Sequence, residues 1–176
     1  MNNKTKKIVF AALFIALAFV GGNIKIMGSI AFDAVPAFLA TLVLGWGWGA
    51  VVAMIAHMLS AALAGFPLSL PAHLITAVMM GVTMIAFYFT LQACLKVMKA
   101  VPAYILGILV AVIFNCPISL LAVAPIFSMP VAVSLIPALL PASVLNVALA
   151  VIVYQFLPSN YQLVTPIRKG KKHAAA

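Results

Sequence analysis

Nine of the ten basic side chains fall in three clusters, separated by apolar stretches long enough to span a bilayer. Lys4, Lys6 and Lys7 open the chain, Lys96 and Lys99 mark its middle, and Arg168, Lys169, Lys171 and Lys172 close it. The tenth, Lys25, shares a short polar stretch with Asp33, the single acidic residue. A membrane protein keeps Lys and Arg in short cytoplasmic loops, because moving them across the bilayer is costly. The clusters therefore restrict the chain to topologies that bring all three to one side.

Composition agrees with this restriction. Charged residues are 6% of the 176 and hydrophobic ones 67%, against about 25% charged in an ordinary soluble domain. Mean hydropathy is +1.30. We read the whole chain, 1–176, as a single integral membrane domain with room for five to seven spans of about 20 residues. A net charge of +9 would suit nucleic acid. The basic residues nevertheless sit at segment ends and form no stripe interleaved with aromatics, so the expected partner is the anionic lipid surface and no nucleic acid. The KTKK start ahead of an apolar run has the layout of a signal peptide, but the chain beyond it is also membrane protein, so it reads as the first helix.

Breakers divide the chain into six expected helices at about 8–22, 36–45, 49–64, 73–93, 103–121 and 137–157, with a basic tail over 166–176. Gly21-Gly22 ends the first, and Pro36 suits the first turn of the second, where its missing N–H has no partner anyway. GWGWG predicts a tight glycine turn, with Trp46 and Trp48 at the headgroups. The segment 122–141 holds Pro125, Pro130, Pro137 and Pro141, which leaves its boundaries unreadable. Six helices put both termini in the cytoplasm, whereas seven would send one terminal cluster outside. The expected fold is thus an all-α membrane protein, a six-transmembrane-helix bundle with a pocket opening to the outer side. The second and third segments are short for a core of about 30 Å, which suggests that loops dip into the protein.

Polar residues inside the spans recur at helical spacing: His57 with Ser60, His73 with Thr76, Asn115 with Ser119, Ser143 with Asn146. Each pair shares a helix face. Most fall in the outer half, as do Asn23, Lys25 and Asp33. Convergent polar groups in an apolar wall read as a ligand pocket, but Ser, Thr and Asn also bond across helices as packing glue. An imidazole at mid-membrane depth, such as His57, needs a partner or a ligand. His73 also suits an interfacial position, and Lys25 and Asp33 could simply pair. A metal site would require His57, His73 and Asp33 to converge, and no HExxH or Cys/His cluster supports one. There is no GxSxG elbow and no GxxxxGK[ST] loop, so neither serine hydrolysis nor ATP hydrolysis by this chain is expected, and no cofactor is implied. On the first helix Ala12 and Ala16 form an AxxxA pair, with Ala11 and Ala18 beside them. Small residues four apart let another helix approach closely.

The basic N-terminus leading into KIVFAALFIALAFVGG, the six expected helices and the loop-rich outer side resemble the substrate-binding S component of an energy-coupling factor (ECF) vitamin transporter. The resemblance covers nearly the whole chain. It implies a bacterial plasma-membrane subunit, not an enzyme, that captures a vitamin. Its partners would be a transmembrane coupling subunit, docked at Ala12 and Ala16, and two cytoplasmic ATPases. GSIAFDAVPAFLATLVLG with HMLSAALAGFPLSLPAHL looks like the branch assigned to α-ribazole, a nucleoside precursor of cobalamin. The matching positions are Gly28, Phe32, Asp33, Pro36, His57, Gly65, Pro67, Leu70, Pro71 and His73. GWGWG departs from that likeness by being more aromatic, on an inner loop. The expected substrate-binding set is Asn23, Lys25, Phe32, Asp33, His57, Ser60, Phe66, His73, Thr76, Met80, Asn115 and Asn146, with Phe32, Phe66, Met79 and Met80 as the wall against a benzimidazole ring. Alternatives are an S component for another vitamin, a stand-alone proton-coupled carrier in which Asp33 or His57 titrates, and a small membrane enzyme.

Overall fold

Long apolar runs bounded by Gly, Pro and charged residues become helices that satisfy their own backbone, the only open structure a bilayer tolerates. A computed structural model describes residues 3–23, 25–26, 30–67, 69–162 and 164. Among the described residues seven α-helices are formed: α1 (Asn3–Asn23), α2 (Ala34–Leu44), α3 (Trp46–Leu63), α4 (Leu70–Val97), α5 (Ala100–Ile113), α6 (Ser119–Phe127) and α7 (Met129–Phe156). A π-helical turn, Phe114–Ile118, joins α5 to α6, so that Ala100–Phe127 is one continuous apolar helix. That helix, α1, α3, α4 and α7 are the five long and apolar enough to cross a membrane. The eleven residues of α2 reach only about 16 Å at 1.5 Å each, half a hydrocarbon core.

Chain direction is set by three contacts. The end of α1 carries Gly21 against the Phe32 backbone just before α2, and Gly22 against Ser60 near the end of α3. Hence α2 runs antiparallel to both α1 and α3. At the other end the rings of Phe10 and Tyr161 meet at 5.9 Å, which brings the segment after α7 back to the first half of α1. This return is held by hydrogen bonds. Gln162 Nε2 donates to the carbonyls of Leu157 (2.8 Å) and Tyr154 (3.1 Å), capping α7, and the Val164 N–H donates to Tyr154 Oη at 2.7 Å.

Several boundaries differ from the sequence expectation. The GWGWG turn uses one glycine: Gly45, at φ 98°, makes the bend, and α3 begins at Trp46 instead of residue 49. Trp46 is exposed and packs on Phe89 at 5.9 Å. The fourth helix is longer at both ends than 73–93, because Ser69 caps its start, with Pro71 in the first turn. The proline-rich segment is helical. The break falls at Ser128 (φ 122°), Pro130 sits in the first turn of α7, and Pro137 and Pro141 lie within the helix. The expected helices at 103–121 and 137–157 are therefore 100–127 and 129–156. Pro117 explains the π turn, since it lacks an N–H and its ring would strike the carbonyl four residues back.

Between α1 and α2 a two-rung antiparallel pair joins β1 (Lys25–Ile26) to β2 (Ile30–Ala31), with Lys25 opposite Ala31. The Phe32 N–H then bonds Gly21 O at 3.1 Å. A side chain at Gly21 would meet the Phe32 carbonyl oxygen at 2.5 Å, so only glycine lets this hairpin lie on α1. The main core gathers around Phe38, Met84, Phe87 and Tyr154, all buried. A smaller cluster, Cys116, Leu120, Ala124 and Ala132, joins α6 to the start of α7. Elsewhere helices present Ile105, Leu109, Ile152 and Phe156 outward, as lipid-facing surfaces do.

Candidate functional site

Between the two cores lies a cavity of about 320 Å³, at the low end of the 300–1,000 Å³ typical of small-molecule pockets. The main core supplies Ala34 and Met80 to its wall, and the smaller cluster supplies Leu120 with the adjoining Leu135. Pro67, Ala72, Val123, Phe127, Leu139 and Ala142 complete the apolar lining. The polar lining is Asp33, His57, His73, Thr76, Asn115, Ser119, Ser143 and Asn146. Among the described residues no Lys or Arg lines it. Lys96 lies 23 residues beyond His73 on the same helix, about 35 Å away at 1.5 Å per residue. The cavity and the described basic clusters thus occupy opposite ends of the bundle.

Each polar group is placed by an identifiable local cause. Asp33 stands at the N-terminal boundary of α2, where the Ser60 hydroxyl and the backbone N–H groups of Asp33 and Ala34 bond its carboxylate. A further cap of α2 comes from far away in sequence. Asn146 Oδ1 accepts from the Val35 N–H at 3.0 Å, while its Nδ2 donates to Ala142 O at 2.8 Å. The amide is therefore engaged with protein at both ends. Replacing Asn146 with Leu leaves that buried N–H unpaired, and we expect thermal unfolding in detergent to show a loss of about 1–3 kcal/mol. Asn115, on the π turn, donates from Nδ2 to Ser143 Oγ at 3.0 Å. Thr76 bonds back to Ala72 O at 2.9 Å. Ser119 lines the cavity, and its hydroxyl, bonded to no other described residue, opens onto it.

The two histidines meet each other. His57 Nε2 lies 3.2 Å from His73 Nδ1, and His73 Nε2 lies 2.7 Å from Pro67 O. Both imidazoles are thereby committed to a chain of hydrogen bonds, and among the described residues no group of three His, Cys, Asp or Glu could hold a metal ion.

A family model described as ECF transporter, substrate-specific component, matches residues 6–158. The chain belongs to this family. It is therefore a multi-pass membrane protein, the substrate-binding subunit of an ECF transporter, working with a small-molecule substrate and an energy-coupling module. No curated protein and no solved structure matches it significantly.

Of the residues expected at the substrate of this S component, the structure brings Asp33, His57, His73, Thr76, Met80, Asn115 and Asn146 to one cavity. Four do not line it. Asn23 is exposed, and its Nδ2 turns back to Phe19 O at 2.7 Å. Phe32 packs against the main core. Ser60 reaches the site only through Asp33. Phe66 lies instead in an outer apolar crevice with Met54, Met58 and Leu74, on a left-handed backbone (φ 52°), and reaches the site only through its ring contact with His73 at 6.0 Å. Met79 is also absent from the lining, replaced as apolar wall by Phe127, Leu135 and Leu139. Those three sit in the proline-rich stretch, where periodicity gave no face. The Lys25 side chain, Gly28 and the C-terminal basic cluster lie outside the described residues.

On α1 the alanines divide. Ala11 and Ala18 are buried with Phe14, whereas Ala12 and Ala16 are exposed alongside Leu13, Leu17 and Val20.

Proposed function

We propose that the cavity is the capture site for a neutral, nucleoside-sized vitamin precursor, with α-ribazole as the substrate. The carrying observation is the lining: one carboxylate, two imidazoles, two amides and hydroxyls set in apolar walls, without a cation among the described residues. Phosphate or multiple carboxylates would find no counter-charge among the described residues there. A volume of about 320 Å³ suits a nucleoside and is too small for a whole corrinoid ring system. A dimethylbenzimidazole would lie against Met80, Leu120 and Phe127 by apolar and sulfur–aromatic contact. Ribose hydroxyls would use Asp33, Asn115 and Ser119.

Sidedness comes from the positive-inside rule. With Lys4, Lys6, Lys7, Lys96 and Lys99 in the cytoplasm, the cavity end faces outward, both termini are internal, and α2 with its hairpin completes the second of six crossings. The exposed Ala12 and Ala16 face would dock on the transmembrane coupling subunit, and two cytoplasmic ATPases would supply the energy that this chain, a non-catalytic subunit, has no motif to generate.

Calorimetry on the purified chain should show 1:1 binding of α-ribazole, and uptake in cells should require the ATPase module. No heat with α-ribazole but heat with another vitamin would reassign the substrate. The convergence of Asp33, His57 and His73 gives a proton-coupled carrier its one supporting observation. Uptake that survives loss of the ATPases and collapses with an uncoupler would favour that reading.

A further inference from the structure

The hydrogen-bond chain through the histidines has a direction, and that direction decides what the cavity wall offers. A carbonyl oxygen only accepts, so at 2.7 Å from Pro67 O the Nε2 of His73 must carry hydrogen. Neutral imidazole has a single N–H, which leaves His73 Nδ1 bare. The group facing it at 3.2 Å is Nε2 of His57, which therefore donates. By the same count His57 Nδ1 is bare. It has no hydrogen-bond partner among the described residues, and no buried side-chain nitrogen or oxygen among them lacks one, so Nδ1 is open to an incoming group. His57 lines the cavity. The turn that begins the chain of bonds is itself constrained: Gly65 (φ 74°) and Phe66 (φ 52°) are both left-handed, and the Phe66 N–H bonds Ala61 O at 2.8 Å, which sets where the Pro67 carbonyl points.

We propose that His73 is a positioning residue that locks His57 in the Nε2–H tautomer, making His57 Nδ1 a fixed hydrogen-bond acceptor for the ligand. The substrate must then be a molecule that donates an N–H or O–H at that point; one offering only acceptors there is rejected. The inference rests on the cavity being the substrate site. It also fixes what protonation does. One proton from solvent, taken up by either imidazole, leaves His57 Nδ1 carrying hydrogen: directly, or because His73 then donates and His57 Nε2 must accept. The acceptor becomes a donor. Asp33 is the only other titratable side chain lining the cavity among the described residues, and among them it alone competes for that proton within the site.

The decisive experiment needs no ligand. In the full-length protein with ¹⁵N-labelled histidine, in lipid nanodiscs at pH 8, nitrogen NMR should show His57 with bare Nδ1 and protonated Nε2. Scalar coupling should also appear across the hydrogen bond to His73 Nδ1. His73→Phe should leave His57 folded but as a mixture of tautomers. A wild-type His57 that carries its proton on Nδ1 at pH 8, or shows no coupling to His73, overturns the proposal. A second readout uses α-ribazole. In His57→Asn the amide oxygen stands near the former Nδ1, whereas His57→Gln places its polar atoms near Nε2. We expect affinity within about threefold of wild type for Asn and at least about tenfold weaker for Gln, the loss of one ligand hydrogen bond. The reverse order would also overturn it. Failure of the wild type to bind α-ribazole sinks the substrate assignment alone, and the tautomer measurement still decides this inference.

Discussion

Ala16→Trp is expected to abolish vitamin uptake while leaving ligand affinity unchanged, and Ala12→Trp to do the same. Both alanines are exposed on α1, so a larger side chain there meets lipid or a partner and not the subunit's own core. Exposed substitutions of this kind shift stability by no more than about 0.5 kcal/mol. The cavity is lined by no residue of α1, which is why binding should survive. A bulky ring on a close-approach helix face, in contrast, removes the contact through which helices associate in lipid. The matched controls are Ala11→Trp and Ala18→Trp. Ala18 is fully buried, and forcing an indole into that position should lower folding yield and binding together. Uptake in cells and calorimetry on purified protein, run on all four variants, separate the two faces. If Ala16→Trp loses binding as well as transport, the docking face is refuted.

Gly21→Ala should weaken both the fold and the site. Its new methyl carbon would stand 2.5 Å from the Phe32 carbonyl oxygen and 2.9 Å from the carbonyl carbon, which are backbone atoms that no side-chain rotation can move. Overpacking of this sort costs about 1–3 kcal/mol. Because Asp33 comes directly after Phe32, the displacement is passed to the one carboxylate in the cavity, and we expect α-ribazole affinity to drop about tenfold or more. Gly47→Ala is the control. Nothing lies within 4 Å of a side chain there, and within α3 the exchange should stabilise by about 0.5–1 kcal/mol. Melting temperature in detergent and ligand titration would check both, and equal melting of the two variants would contradict the packing argument.

The polar constellation was partly legible because helical spacing is a local rule. His57, His73, Asn115, Ser119, Ser143 and Asn146 could be placed on helix faces from their separations, and the structure turns all six to one cavity. Phe66 shows where that reasoning stops. Its expected place was a wall stacking against a benzimidazole ring, yet Phe66, on a left-handed backbone, lines another crevice. Phe127, Leu135 and Leu139 show the converse: prolines suggested loop, yet Pro130 falls in a first turn and Pro137 and Pro141 are tolerated within α7. In lipid, breaking a helix would expose backbone groups that have nowhere else to bond, so context overrides the residue's usual effect.

What the residues determined unaided was the solvent and the broad architecture. A chain so apolar, with its cations at segment ends, has no way to cover itself in water, and bilayer thickness divides it into helices. Tertiary structure alone decided the partnerships: that Asn146 caps a helix 111 residues away, that Asp33 answers to Ser60, and that the two imidazoles bond each other. Each is a hydrogen bond between groups far apart along the chain or on different helices. Periodicity reports which face a side chain occupies, whereas its partner depends on how helices are rotated and stacked, which no local pattern encodes.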